Sequence, residues 1–399
     1  MDLIIRNARL LGAPEHAPVD IGVRAGQIIA IETNLMANAP VFDAEGHLTC
    51  AGLVETRIHL DTSRIIDRCP QDDDRNADAM ARVAAVQPSF TEADVYRRAR
   101  RTLEDCIEHG TTRLRTRVEL DAGVEMRSFD ALEKLRADYA RAIDIELCVF
   151  AREGLTNNPR SDALLVAALE RGARVIGAAP DCDPDRAGHI RRVFELARAY
   201  DVDIDMHLDA GEGAEGLDID LVCELTRQYG LGGRVTVGPG YRYSALPPAE
   251  FQALARRIAD AGVAVTVLPA DDLFMTGRVA DANALVENGV NCSISSGHIL
   301  DPYTPYGDGN LIRMANLQAN SCHIGDADRL RQCFYMITAR AAMLMNARDY
   351  GIAIGNPADV VIMDATTPEQ AVAEVRGPLT VFRRGERTVT RARAELHRA

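Results

Sequence analysis

Residues 174–209, RVIGAAPDCDPDRAGHIRRVFELARAYDVDIDMHLD, decide the fold. The segment opens on a short apolar run, RVIGAAP (174–180). It continues with AGHIRRVFELARAYD, whose apolar residues recur with the 3.6-residue period of an amphipathic helix. It closes on VDIDMHLD (202–209), a second strand-like run. Strand, helix, strand is the repeating unit of a parallel sheet, because parallel neighbours need a long crossover between them.

The same alternation extends outward through the middle of the chain. Further candidate strands are GLVETRIHL (52–60), TTRLRTRVEL (111–120), DIELCVFA (144–151), RVTVGP (234–239), VAVTVLP (263–269) and VNCSISS (290–296), which with the first two make eight. Helical patterns lie between most of them. TEADVYRRARRTLEDCIEHG opens at Thr91 with Asp94 three residues on, an N-cap arrangement. Eight strands alternating with helices over roughly 300 residues predict a (β/α)8 TIM barrel rather than an open doubly wound sheet. No glycine-rich fingerprint follows the first strand, which argues against a dinucleotide fold. In such a barrel the chemistry sits at the C-terminal strand ends. The residues to inspect there are Arg57, His59 and Asp61; Arg115 and Arg117; Arg152 and Glu153; Asp181 and Asp183; His207 and Asp209; Pro239, Tyr241 and Arg242; Asp271; and Gly297, His298 and Asp301.

Both ends of the chain read as short strands broken by Gly, Pro and Asn. We expect residues 1–50 and 350–399 to build one small β-sandwich domain, with 51–349 forming the barrel. Hydrophobic residues make up 47% and charged residues 26% of the 399, as a soluble protein with a large core requires. The net charge of −14 leaves no basic footprint for nucleic acid or anionic lipid. No secretory signal and no bilayer-length apolar run is present, so the expected location is cytoplasmic. The nine cysteines are scattered without a C-x-x-C pair, which suggests core residues rather than a disulfide framework or a zinc knuckle.

Several segments resemble motifs of the amidohydrolase superfamily, near its cytosine deaminase branch and the related aminohydrolases of triazine breakdown. CAGLVETRIHLDTS (50–63) is similar to the first-strand motif, which ends in His-x-His. VDIDMHLDAGEG (202–213) is similar to the fifth-strand histidine segment, GRVTVGPGYRYSALPP (233–248) to the sixth, and GVNCSISSGHILDPYTPYGDGNL (289–311) to the eighth. DYGIAIGNPADVVIMDA (349–365) resembles the return into the β domain. The resemblance implies a zinc or iron held by two first-strand His, one fifth-strand His and an eighth-strand Asp, with a Glu and a His moving protons. Carried over by position, the first ligand is Arg57 here, the second is His59 and the third is His207. The Glu is Ala210, the sixth-strand His is Pro239, and the Asp falls at Gly297, next to His298. Lys134, the chain's one lysine, lies in a helical pattern, so a carboxylated-lysine two-metal site is not expected.

Arginine has no lone pair to offer a metal and stays protonated. The expectation is therefore no bound metal; if a zinc or iron site exists, His59, His207 and His298 would form it. The candidate catalytic residues are His59, His207, Asp209 and His298. Arg57, Arg117, Arg152 and Arg242 would present guanidinium forks to a small anion. Tyr241, Phe274, Ser296 and Asp301 would complete the substrate pocket; alternatively the arginines form structural ion pairs. RCPQDDDRNADAM (68–80) reads as a lid or a solvated loop. Two functions remain open: hydrolysis of a C–N bond in a small cyclic or anionic amide-type compound by an altered mechanism, or a noncatalytic relative that binds a small anion or a partner subunit. A homo-oligomer is expected in either case.

Overall fold

The computed structural model describes residues 1–11, 18–70, 79–209, 216–240, 242–392 and 397. Five strands come from the N-terminal segment: β1 (Leu3–Leu10), β2 (Val19–Arg24), β3 (Gln27–Glu32), β4 (Val41–Asp43) and β5 (Leu48–Ala51). The barrel follows with β6 (Leu53–Ile58), β7 (Thr111–Glu119), β8 (Asp144–Phe150), β9 (Val175–Ala178), β10 (Asp203–Leu208), β11 (Val235–Pro239), β12 (Val263–Val267) and β13 (Cys292–Ile294). The chain returns with β14 (Val360–Met363), β15 (Pro378–Arg383) and β16 (Glu386–Thr390).

The middle strands pair in sequence order from β6 to β13, all parallel. An isolated bridge between Ile58 and Gly297 brings the last strand back to the first. This is the TIM barrel expected from the alternation. Observed and expected strands differ by at most two residues at either end, most at β13, which is two shorter at both. There the Ser295 N–H still bonds Val267 O at 3.1 Å, after which the Gly297 N–H turns to Arg57 O at 3.0 Å. The helix Glu92–Glu108 starts as read: Thr91 accepts from the Asp94 N–H.

Both termini contribute to the second sheet, whose order is β16-β15-β14-β5-β1-β2-β3 with β4 beside β1. Its two halves join at β1 and β5, through Arg9–Leu48 and Leu10–Thr49. They enclose a small core of Ile5, Ile21, Val23, Ile28, Val360, Ile362 and Phe382. The described cysteines are all free, and seven of the nine are buried. Among the described residues no helix is long and apolar enough to cross a membrane.

Side-chain period fixes what the barrel encloses. In β10, Ile204, Met206 and Leu208 join the apolar layer under the helices. Asp205, His207 and Asp209 fall on the opposite face of the strand. In β7, Leu114 and Val118 do the same, leaving Arg115, Arg117 and Glu119 on the other face. The barrel interior is therefore charged where such interiors are usually filled with branched apolar side chains.

Candidate active site

The floor of the site is a knot of ions. Arg57 from β6 crosses the barrel to pair with Asp205 on β10 and also donates to Met206 O at 2.9 Å. Arg115 reaches the same carboxylate at 3.2 Å and holds Glu146 at 2.6 Å. Arg117 contributes a third contact to Asp205 at 3.2 Å and donates to the Cys148 sulfur at 3.0 Å. All three arginines and Asp205 have essentially no exposed surface. Burial opposes ionisation of Asp205, but Arg117, Arg57 and Arg115 outweigh it and hold its pKa below the usual value. Burial in turn pulls Arg57 down to about 10, against the attraction of Asp205.

Three imidazoles lie above this floor. His59 and His207 face each other with their Nε2 atoms 3.2 Å apart. His298 stacks on His59 with ring centroids 3.9 Å apart and planes 13° from parallel. Tyr303 covers the other side of His298 at 4.3 Å. Burial, followed by the neighbouring imidazoles and Arg152, drives the His59 pKa well below its normal range. Burial and then Arg117, Arg57 and Arg152 do the same to His207. Burial also works against the imidazolium of His298, but Asp301 and Asp271 outweigh it and raise that pKa.

The rim is tied by aspartates that follow the strands. The Asp61 carboxylate accepts from the Glu119 N–H at 3.0 Å. Asp121 accepts from the Arg152 and Glu153 N–H groups at 3.0 and 3.1 Å. Asp183 takes those of Leu155 and Thr156 at 2.6 and 2.9 Å, and Asp271 that of His298 at 3.2 Å. Each carboxylate thus fastens the end of its own strand to a neighbour.

The expected site residues divide accordingly. His59, His207, His298, Arg57 and Arg117 come together. The expected array of free guanidinium forks does not form, because Arg57 and Arg117 are spent on Asp205, and Arg152 on Glu119 and on the Tyr303 hydroxyl (2.5 Å). Arg242 is buried beyond β11. Asp209 does not orient His207; its carboxylate accepts from the Asp218 N–H (2.6 Å) and the Tyr243 hydroxyl (3.0 Å). Asp301 Oδ1 accepts the N–H groups of Tyr303 and Thr304, and its Oδ2 lies 3.5 Å from the Thr62 hydroxyl. The Ser296 hydroxyl is buried and has no hydrogen-bond partner among the described residues. Phe274 is half exposed and meets Tyr306 edge-on at 6.2 Å. Tyr241, Ala210 and most of 68–80 lie outside the described residues. Sequence reasoning left Asp205 and Tyr303 out of the site altogether. For Asp205 a signal existed: it lies two residues before His207 on the same strand face.

The sequence profile described as the amidohydrolase family matches residues 72–389. The chain belongs to the amidohydrolase family. A curated relative, N-isopropylammelide isopropyl amidohydrolase of Pseudomonas sp. (strain ADP), is 26% identical over 396 residues, covering 96% of each chain. The crystal structure of 5-methylcytosine deaminase from Klebsiella pneumoniae with 5-fluorocytosine matches with a TM-score of 0.93 and 26% identity over 99% of both chains. N-isopropylammelide isopropylaminohydrolase from Burkholderia multivorans matches at 0.86 and 26%, over 97% of this chain and 98% of its own.

Family resemblance implies a metal, and the side chains can be tested against it. Two imidazole nitrogens 3.2 Å apart could pinch one ion. The positions that would complete the set are Arg57, whose charge opposes a cation, and Gly297, which has no donor. The Nδ1 atoms of His59 and His207 also lack hydrogen-bond partners among the described residues, whereas a metal-bound imidazole normally anchors its second nitrogen. Among the described residues no group of three or more His, Cys, Asp or Glu side chains is placed to hold a metal. Of the four ligands that the resemblance implies, this chain keeps two at the matching positions, His59 and His207.

Proposed function

We propose that this protein hydrolyses a C–N bond in a small cyclic, amide-type compound, and that it does so through its own side chains. The observation that carries this reading is the cluster of His59, His207 and His298 at the mouth of a barrel that follows 5-methylcytosine deaminase over 99% of its length. The names of the similar proteins supply the bond type: an amidohydrolase and a deaminase both acting on ring compounds.

In this reading the floor acts as a fixed positive field. Arg57, Arg115 and Arg117 carry three charges against two on Asp205 and Glu146, an excess of one beneath the imidazoles. Such a field, in a site with little water, favours an anionic ring or one that gathers negative charge as the bond breaks. His59 and His207, held neutral, offer lone pairs or N–H groups to the ring. Phe274 and Tyr306 form an apolar wall at the entrance.

The test is amine release from N-isopropylammelide, 5-methylcytosine and cytosine by protein purified without added metal. Release of isopropylamine or ammonia, abolished in His207→Ala, is the expected result. Binding of these compounds without release from any of them would leave a noncatalytic ligand-binding protein in its place.

A further inference from the structure

The resemblance expects a carboxylate on the eighth strand at position 297, where this chain has glycine. A carboxylate nevertheless arrives there. A Cβ added to Gly297 would lie 2.2 Å from Oδ2 of Asp271, which lies in the first turn of the helix Pro269–Thr276 that follows β12. The backbone at Gly297 has φ +69°, a conformation in which side chains are strained in any case. Glycine at 297 is thus the condition for Asp271 to enter.

Asp271 is turned toward His298. Its Oδ2 lies 2.8 Å from His298 Nδ1, both its oxygens receive the His298 N–H at 3.2–3.3 Å, and Thr304 Oγ1 donates to Oδ1. A carboxylate accepting at Nδ1 keeps a proton there, so when the ring is neutral its lone pair is on Nε2. The sandwich between His59 and Tyr303 fixes the ring plane. Nε2 is buried and has no hydrogen-bond partner among the described residues. A buried ring nitrogen left open in an otherwise satisfied arrangement calls for an explanation.

We propose that His298 is the general base of this site and Asp271 its positioning residue, the pair taking over water activation. The inference rests on the hydrolase reading above. Nε2 removes a proton from water as the water oxygen bonds to the ring carbon. The C–N bond then breaks, and the nitrogen leaves as the neutral amine carrying that proton from His298. One water is consumed and no electrons change hands.

Two measurements test it. The first needs no substrate: 15N spectra of histidine-labelled protein, with the His298 signal identified by its loss in His298→Gln. The expected signal is an Nδ1–H tautomer that becomes mixed or reversed in Asp271→Asn; an Nε2–H tautomer in the unmodified protein overturns the positioning role. The second is steady-state kinetics of Asp271→Asn on whichever compound above is hydrolysed. A fall in kcat of about 10²–10⁴-fold with KM little changed is expected. A kcat within about threefold of the parent, with the fold intact by circular dichroism, overturns the base assignment. If no compound is hydrolysed, the hydrolase reading fails while the tautomer still decides the pairing.

Discussion

The barrel axis and the barrel rim both bury carboxylates, and they treat them in opposite ways. On the axis, Asp205 faces three guanidiniums, and its pKa is lowered despite complete burial. At the rim, Asp121 faces main-chain N–H groups and a like charge on Glu119, and burial pushes it up to about 7. Glu55, beside the Ser296 and Arg57 N–H groups, also rises to about 7 through burial. Two amide dipoles do not replace the water a carboxylate loses, whereas full cations do. Asp183 marks the boundary: with the Thr156 hydroxyl, three main-chain donors and His189 around it, it falls to about 2 even against burial.

The contrast can be broken by experiment. Asp205→Asn should have the largest effect, roughly 3–5 kcal/mol or more, because it strands buried guanidiniums. Urea denaturation reads this directly, and a loss below about 1 kcal/mol would mean the axis tolerates bare cations. The next effect is on pH. The folded-state pKa values of Glu55 and Asp121 lie above their unfolded values of about 4. The folded state therefore holds extra protons, and the stability they confer is complete below about pH 4 and lost as the pH rises through about 7. Glu55 alone accounts for on the order of 3 kcal/mol of this. Asp205 has the opposite sign: its contribution is present above about pH 4 and lost as the pH falls through its depressed folded value. The urea midpoint should thus decline from about pH 5 to pH 8, less steeply in Glu55→Gln; a flat or rising profile would erase the distinction. The smallest effect concerns metal. If the floor repels cations, incubation with zinc should move Tm by less than about 1 °C, and chelation should leave it unchanged. A rise of several degrees would show that His59 and His207 recruit an ion despite Arg57.

The barrel was legible because its signals are local. Apolar runs, helical periods and the Thr91 cap are set by neighbours in sequence, and they located the eight strands to within a few residues. The period of β6 and β7 put Arg57 with His59, and Arg115 with Arg117, on shared faces, but which face points inward came from the family resemblance and not from the alternation. What each inward side chain touches was not legible. Arg57 and Asp205 stand 148 residues apart and meet only because β6 and β10 face each other across the closed barrel. The loss of a carboxylate at Gly297 was visible; its return from Asp271, in the helix Pro269–Thr276, was not, since nothing near 297 in sequence records it.

The aspartate ties at the rim have a consequence for variation. In each, the side chain of one strand end grips the main chain of another, at Glu119, Arg152, Glu153, Leu155, Thr156 and His298. At Glu119, Arg152, Glu153 and Leu155 the gripped residue gives the tie only its amide, which every amino acid except proline possesses, whereas Thr156 adds its hydroxyl and His298 its ring Nδ1. Glu153, exposed and tied through its amide, can exchange its side chain while its tie to Asp121 stays in place. The frame is thereby insulated from changes in chemistry at exposed points of its edge, and a library at 153 that omits proline should return mostly folded proteins.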